Sequence, residues 1–329
     1  MTRSVRIHAF GDADVLSIED IDAGEPGAGE VRLRIHAIGL NRTEITLRSG
    51  RSPVKPALPS SIGFEAAGII EALGPDVSGF TVGDRVALAP AYGAAQYALY
   101  GEVSLAPARS LVAIPDSVSF SEAAATWVAF GTAWGGLVAL GRLGAGQSVL
   151  IGAASSSVGL AAIQIANQLG ARPIALTRTS AKADALLGHG AAAVVVTGEQ
   201  DTAAEVKRLT DGKGVELVLD PVGGAAFSEL ARATAQGGTL ILYGALAPDP
   251  TVVAPFEIFA RDLTIRGLAF PSLMRNDAQL AALKRFVGDG IAEGTLRPTI
   301  ARTFHFDQIA DAHRFIEAGE QLGKIVVTL

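Results

Sequence analysis

The segment from residue 148 to residue 170 constrains the fold more than any other part of the chain. Ser148-Val149-Leu150-Ile151 is a short, almost wholly apolar run, and Gly152-Ala153-Ala154-Ser155-Ser156-Ser157-Val158-Gly159 follows with no side chain larger than valine. Residues 160–169, Leu160-Ala161-Ala162-Ile163-Gln164-Ile165-Ala166-Asn167-Gln168-Leu169, then read as a helix that Gly170 stops. A second apolar run occupies residues 173–176. Strand, tight loop, helix and strand make one βαβ unit, the building block of a parallel sheet.

The pattern continues. Further apolar runs at residues 193–196, 216–219, 240–243 and 263–266 alternate with alanine-rich helical stretches, so six strands are expected in a doubly wound sheet beginning near residue 121. The first third has a different texture. Short β-branched runs at residues 31–38, 68–70 and 85–88 stand between Gly/Pro clusters, which predicts a mostly β domain. After the sixth run come a helical stretch near 278–287, Phe304-His305-Phe306, a helix around 309–317 and a terminal strand at 324–329 that should rejoin the first domain. The expectation is an α/β protein with a mostly β domain from 1–120 and 268–329 and a Rossmann domain from 121–267. With 329 residues and 49% hydrophobic side chains, there is material for two cores.

Several function classes drop out. A net charge of −6 without a basic block offers no footprint for nucleic acid or anionic lipid. The chain has no cysteine, which removes disulfides, thiolate nucleophiles and every cysteine-containing zinc site. His8, His36, His189, His305 and His313 are scattered without metal-ligand spacing. The first residues, Met1-Thr2-Arg3 and then Val5-Arg6-Ile7-His8-Ala9-Phe10, carry no apolar signal core, so a cytoplasmic protein is expected. Residues 123–141 and 143–171 are free of charge over lengths that raise the question of a membrane span. The second is interrupted by glycines and serines and reads as turn, strand, turn and helix, so no membrane partner is expected.

The small-residue loop carries the chemistry. Ser155, Ser156, Ser157, Val158 and Gly159 would let a nucleotide pyrophosphate approach the backbone, where free N–H groups and the positive end of the helix dipole meet its charge. The usual glycine fingerprint is incomplete, because Ala153 and Ser156 replace two of its three glycines and only Gly159 remains. An ordinary strand-to-helix turn would also accept these residues; the flanking strands and helix favour the dinucleotide. An NAD site would place an acidic residue at the end of the second strand. The chain instead reads Thr177-Arg178-Thr179-Ser180-Ala181-Lys182. Thr177, Arg178, Ser180 and Lys182 suit a ribose 2′-phosphate, and NADPH is expected over NADH. A solvated turn capped by Thr179 or Ser180 is the alternative.

Gly39-Leu40-Asn41-Arg42-Thr43-Glu44, Arg48-Ser49-Gly50, Gly63-Phe64-Glu65-Ala66-Ala67-Gly68 and Gly83-Asp84-Arg85-Val86 form an ordered set with Glu122-Ala123-Ala124-Ala125 and Thr132-Ala133. Ser157-Val158-Gly159-Leu160-Ala161, Asp220-Pro221-Val222-Gly223-Gly224 and Gly323-Lys324-Ile325-Val326 complete it. Over nearly its whole length the chain resembles the medium-chain dehydrogenase/reductase superfamily, which implies a GroES-like catalytic domain beside the Rossmann domain. Zinc alcohol dehydrogenases of that superfamily carry cysteine where this chain has Asn41 and histidine where it has Phe64. The resemblance is therefore to the zinc-free quinone oxidoreductase branch, and no zinc is expected.

That resemblance implies hydride transfer from NADPH to a small-molecule quinone or α,β-unsaturated carbonyl. It places Asn41 and Thr132 near the nicotinamide, Tyr243, Gly244, Ala245 and Leu246 against the cofactor, and Phe270 beside it. Lys182 and Thr197 would lie by the adenosine phosphate, Thr197 standing where related reductases often have tyrosine, and Lys324 would approach from the C-terminus or sit at the surface. Candidate donors to the developing oxyanion are Asn41, Tyr97 and Tyr100. Tyr100-Gly101-Glu102 resembles the family's Gly-x-Tyr-x-Glu-Tyr segment, although Tyr100 could equally pack at the domain boundary. Trp127 and Phe130 could line a flat pocket or fill the core. An enoyl-thioester or 2-alkenal reductase is the rival enzyme; the thioester enzymes have a catalytic tyrosine where this chain has Arg51-Ser52. An NADPH-binding sensor without turnover is the rival of another class. Relatives pair edge strands into homodimers, and residues 263–270 are a plausible edge.

Overall fold

The computed structural model describes residues 1–329. It divides into two compact units, one of Met1–Val128, Met274–Lys284 and Pro298–Leu329, the other of Ala129–Leu273 and Arg285–Arg297.

The first unit carries β1 (Thr2–Ile7), β2 (Leu16–Ile21), β3 (Glu30–Gly39), β4 (Ser60–Ser61), β5 (Ala66–Leu73), β6 (Arg85–Leu88), β7 (Val103–Pro107) and β8 (Leu111–Ala113). The second contributes β9 (Ser148–Ile151), β10 (Arg172–Thr177), β11 (Ala193–Val196), β12 (Val215–Asp220), β13 (Thr234–Leu242) and β14 (Thr264–Gly267). The chain then returns to the first unit as β15 (Ile300–His305) and β16 (Lys324–Thr328).

In the second unit all six strands pair in parallel, in the order β11-β10-β9-β12-β13-β14. The order reverses beside β9, which puts the carboxyl end of that strand at a topological switch point. Every residue of β9 is buried, as a central strand covered on both faces requires, whereas every residue of β14 is exposed at the sheet edge. Leu150, Ile174, Val195, Val218 and Leu240, one from each of five strands, pack with Val206, Phe227 and Leu230 from the helices. The longest departure from the expected elements is β13, which begins at Thr234, six residues before its apolar run, and passes through Gln236-Gly237-Gly238. Tertiary pairing with β12, across a register shift between Val215 and Leu217, overrides the weak strand propensity of those glycines.

The charge-free stretch 123–141 folds into the helix Trp127–Trp134 and a π-helical turn, Gly135–Leu140. That turn closes with the Gly141 N–H on the Gly136 carbonyl at 2.8 Å. Gly136 and Gly141 lie against Leu219 and Leu217 of β12, so these uncharged residues serve helix-to-sheet packing. No helix is long and apolar enough to cross a membrane.

In the first unit the main sheet runs β15-β16-β3-β5-β6-β8, with β7 also on β3, and β1, β2 and β4 form a smaller sheet. The decisive pairing is β16 on β3, antiparallel, with Val326 opposite Gly39 and Val327 opposite Ile38. The C-terminal strand is thereby laid alongside the start of the Asn41 segment.

Candidate dinucleotide site and buried polar cluster

The loop after β9 leads into the helix Ser157–Gln168, whose N-cap, Ser156, accepts a hydrogen bond from the Gly159 N–H at 3.1 Å. The first-turn N–H groups beyond it have no intrahelical acceptor, and no acidic residue occupies that turn, so the helix start is electropositive. Gly159 is glycine by contact. A Cβ there would stand 2.5 Å from both Cα and O of Ala154, backbone atoms that cannot move aside. This is the close helix-to-loop packing that the last glycine of a dinucleotide fingerprint provides. Ala153 adopts φ of 45°, in the left-handed region a glycine would occupy without cost. The fingerprint's conformation is kept although its residue is not. A pyrophosphate fits this loop: the side chains are small, the helix start faces it, and the turn geometry is that of the glycine version.

Behind the loop, the Asp220 segment and Tyr243, both singled out in the sequence, come together. Asp220, at the end of β12, accepts from the N–H groups of Val222 at 3.1 Å and Gly223 at 2.8 Å. Burial holds its carboxyl above the usual range. Tyr243 follows β13 with its hydroxyl buried toward Ser156 and Asp220, and its pKa is raised by burial and by the Asp220 charge. Gly244 lies against the Pro221 carbonyl, and the Leu246 N–H donates to it at 3.1 Å, while the side chains of Ala245 and Leu246 are exposed. Thr132 and Phe270 are both buried in this unit.

At the end of β10 the Thr177 carbonyl accepts from the Thr197 N–H at 2.8 Å and its hydroxyl at 3.2 Å. Thr197 therefore turns back onto the strand and presents no ring. Lys182 reaches the loop, with Nζ 3.4 Å from Ser155 Oγ. Arg178 is exposed and makes no ion pair. Ser180 donates its N–H and its hydroxyl to Glu199 Oε1, at 3.3 and 3.2 Å. Glu199 follows β11, so the fold brings a carboxylate to a place where the local sequence offers none.

The first unit holds a second constellation. Lys324 is only 1% exposed, and its ammonium donates to Asn41 Oδ1 at 2.6 Å and to Glu65 Oε2 at 2.5 Å. Glu65 is fully buried and also accepts from the Val128 N–H at 2.9 Å. Asn41 starts the helix Arg42–Arg48, and Glu44, fully buried on its first turn, accepts from the Asn41 N–H at 2.8 Å. The Asn41 Nδ2 donates to the Gly39 carbonyl at 3.0 Å and, over a longer 3.3 Å, to Glu44 Oε1. Two buried carboxylates thus share one buried ammonium. Burial raises both, and Glu44, the less directly paired, is pushed up to about 8. A Cβ on Gly39 would collide with the Ala124 carbonyl at 1.9 Å and with Lys324 Cε at 2.9 Å, so glycine is required where this cluster closes. Lys324 is not at the surface but enclosed beside Asn41.

Tyr97 and Tyr100 are placed differently from the donors expected of them. Tyr97 donates to Glu30 Oε1 at 3.0 Å beside a surface depression lined by Arg6 and Asp20, and burial together with that bond pushes it up to about 12. Tyr100 is fully buried with its hydroxyl 3.3 Å from His313 Nε2. Burial raises that phenol well above its ordinary range and, with nearby Arg48, pushes His313 down to about 3. Arg48 is itself fully buried and pairs with Glu317 at 2.6 Å. Both phenols are engaged inside the first unit, Tyr100 enclosed against His313 and Tyr97 held by Glu30. Trp127 and Phe130 are 4% and 1% exposed, which assigns them to the core.

No three His, Cys, Asp or Glu side chains are grouped as a metal site. Asn41 and Phe64 stand at the two positions where zinc relatives have ligands, and the neighbouring Glu65 is committed to Lys324. This donor set does not fit a zinc ion.

Comparison with known proteins bears on both units. Residues 27–134 match the family model described as alcohol dehydrogenase GroES-like domain, and residues 157–287 match the one described as zinc-binding dehydrogenase. The quinone oxidoreductase of Pseudomonas aeruginosa is 32% identical over 329 residues, covering 99% of this chain and 99% of that protein. The crystal structure of Escherichia coli quinone oxidoreductase complexed with NADPH superimposes with a TM-score of 0.92 at 27% identity, over 99% of this chain and 100% of that one. A crystal structure of an NAD-dependent alcohol dehydrogenase does so with a TM-score of 0.90 at 32% identity, over 99% of each chain.

Proposed function

Since the chain belongs to the medium-chain dehydrogenase/reductase superfamily, in its quinone oxidoreductase-like branch, we propose that it is a zinc-independent, NADPH-using oxidoreductase acting on a quinone or an α,β-unsaturated carbonyl. The observation that carries this reading is the loop after β9, where Gly159 touches the Ala154 backbone and Ser156 caps an electropositive helix start. When bound, the nicotinamide supplies a hydride. The protein's part is to bind, orient and polarise.

Ser155, Ser156, Ser157, Val158 and Gly159 hold the pyrophosphate, Lys182 adds a positive charge over the same loop, and Arg178 meets the 2′-phosphate. Asn41 is the donor toward a substrate oxygen. Its Nδ2 hydrogen facing Glu44 is the weaker held of the two, at 3.3 Å, and a protonated Glu44 is a poorer acceptor for it. Lys324 fixes the carboxamide orientation by holding Oδ1. A cytoplasmic location and a dimer formed through β14 accompany this reading.

The test is NADPH oxidation, followed by absorbance, against benzoquinone, phenanthrenequinone and a 2-alkenal in the presence of a chelator. Chelator-resistant turnover with a quinone or the alkenal is the expected result. Tight NADPH binding without turnover on any acceptor would move the assignment to a nucleotide sensor, and turnover lost to the chelator would overturn the zinc-free reading.

A further inference from the structure

The end of β10 carries two opposed features. Arg178 offers an exposed, unpaired guanidinium, and Glu199 brings a carboxylate to Ser180 from the turn after β11. In NAD-binding Rossmann domains the ribose hydroxyls are accepted by an acidic side chain that usually belongs to the end of the second strand itself. Here that strand ends in Thr177-Arg178-Thr179, and the carboxylate bonded to Ser180 in the following turn comes from 19 residues further on. Both Ser180 donors, N–H and hydroxyl, are occupied by it.

We propose that Glu199 is a specificity-determining residue of the adenosine-ribose pocket, accepting the 2′-hydroxyl of NADH and opposing the 2′-phosphate of NADPH, so that the chain binds both nucleotides. The proposal rests on the dinucleotide reading of the β9 loop. A 2′-phosphate gains Arg178 but meets a like charge at Glu199 and must compete for Ser180. A 2′-hydroxyl gains a charged acceptor and is indifferent to Arg178. Lys182, with Nζ 3.4 Å from Ser155 Oγ, adds positive charge on the pyrophosphate side. Thr197, with its hydroxyl on the Thr177 carbonyl, puts no ring beside the end of β10.

The experiment is calorimetric titration of the purified full-length protein with NADPH and with NADH at one ionic strength. It is done for the wild type, Glu199→Gln, and Glu229→Gln as a matched loss of charge on the helix Phe227–Ala233. Glu199→Gln should raise the ratio of NADPH to NADH affinity about tenfold, the scale of one charge-assisted hydrogen bond, with NADPH tighter and NADH weaker. Glu229→Gln should leave the ratio within about twofold. If the wild type binds nucleotide and Glu199→Gln leaves the ratio unchanged or lowers it, or if Glu229→Gln moves it equally, this proposal fails while the dinucleotide reading stands. If the wild type binds neither nucleotide, both fail together.

Discussion

The most costly residues in the first unit are Lys324, Glu65 and Glu44, ionisable groups with almost no contact with water. Removing one partner of a buried pair leaves the other uncompensated, which typically costs about 3–5 kcal/mol. Lys324→Met should therefore lower unfolding free energy by that order in urea titrations. Lys324→Met with Glu65→Gln should recover part of it, and a strictly additive double variant would show that the pair is not coupled. Glu44 gives a pH signature. Its carboxyl, raised from 4.5 to about 8 in the folded state, favours the folded protein while protonated. That stability is present in full below the unfolded pKa and is lost as pH rises toward 8, at no more than about 1.4 kcal/mol per pH unit for one proton. His313, pushed down to about 3, acts in the opposite sense below 6.5. Urea titrations between pH 6.5 and 8 follow this decline, to which the raised Glu65 adds in the same sense, and Glu44→Gln should remove the Glu44 share of it. In the second unit, Arg178→Ala should weaken NADPH about 10- to 100-fold and NADH far less, measured by titration.

At the scale of elements, the β9 loop separates two roles of small residues. Gly159→Ala inserts a Cβ into backbone with no route of relief, so a loss of about 1–3 kcal/mol together with weaker nucleotide binding is expected. Ala153→Gly relieves a left-handed alanine and should be neutral to stabilising by about 1 kcal/mol in thermal unfolding, with nucleotide binding retained. A marked destabilisation at 153 would mean that the alanine methyl is wanted for packing. These substitutions also show why the loop's fingerprint was only partly legible. Sequence reports which residues are glycine; it does not report which backbone angle an alanine has been made to adopt.

At the scale of the molecule, β14 is an unpaired edge with all four residues exposed, and the preceding helix Pro255–Arg261 presents Phe256 and Phe259 at 82% and 73% exposure. An open edge beside exposed aromatics is what pairing with a second copy would cover. Light scattering should give twice the 33.7 kDa of one chain, and Ile265→Lys with Phe256→Glu should halve it; a wild-type mass of 33.7 kDa would remove the dimer. The parallel sheet and the strand-loop-helix around Gly159 were legible in the amino-acid order, because each depends on residues close together. The pairing of Lys324 with Asn41 and Glu65, the burial of Tyr100 against His313, and the arrival of Glu199 at Ser180 were not. Those contacts join segments 19 to 283 residues apart. Strand pairing across the folded sheets decides them, and a buried charge has no local signal to distinguish it from an exposed one.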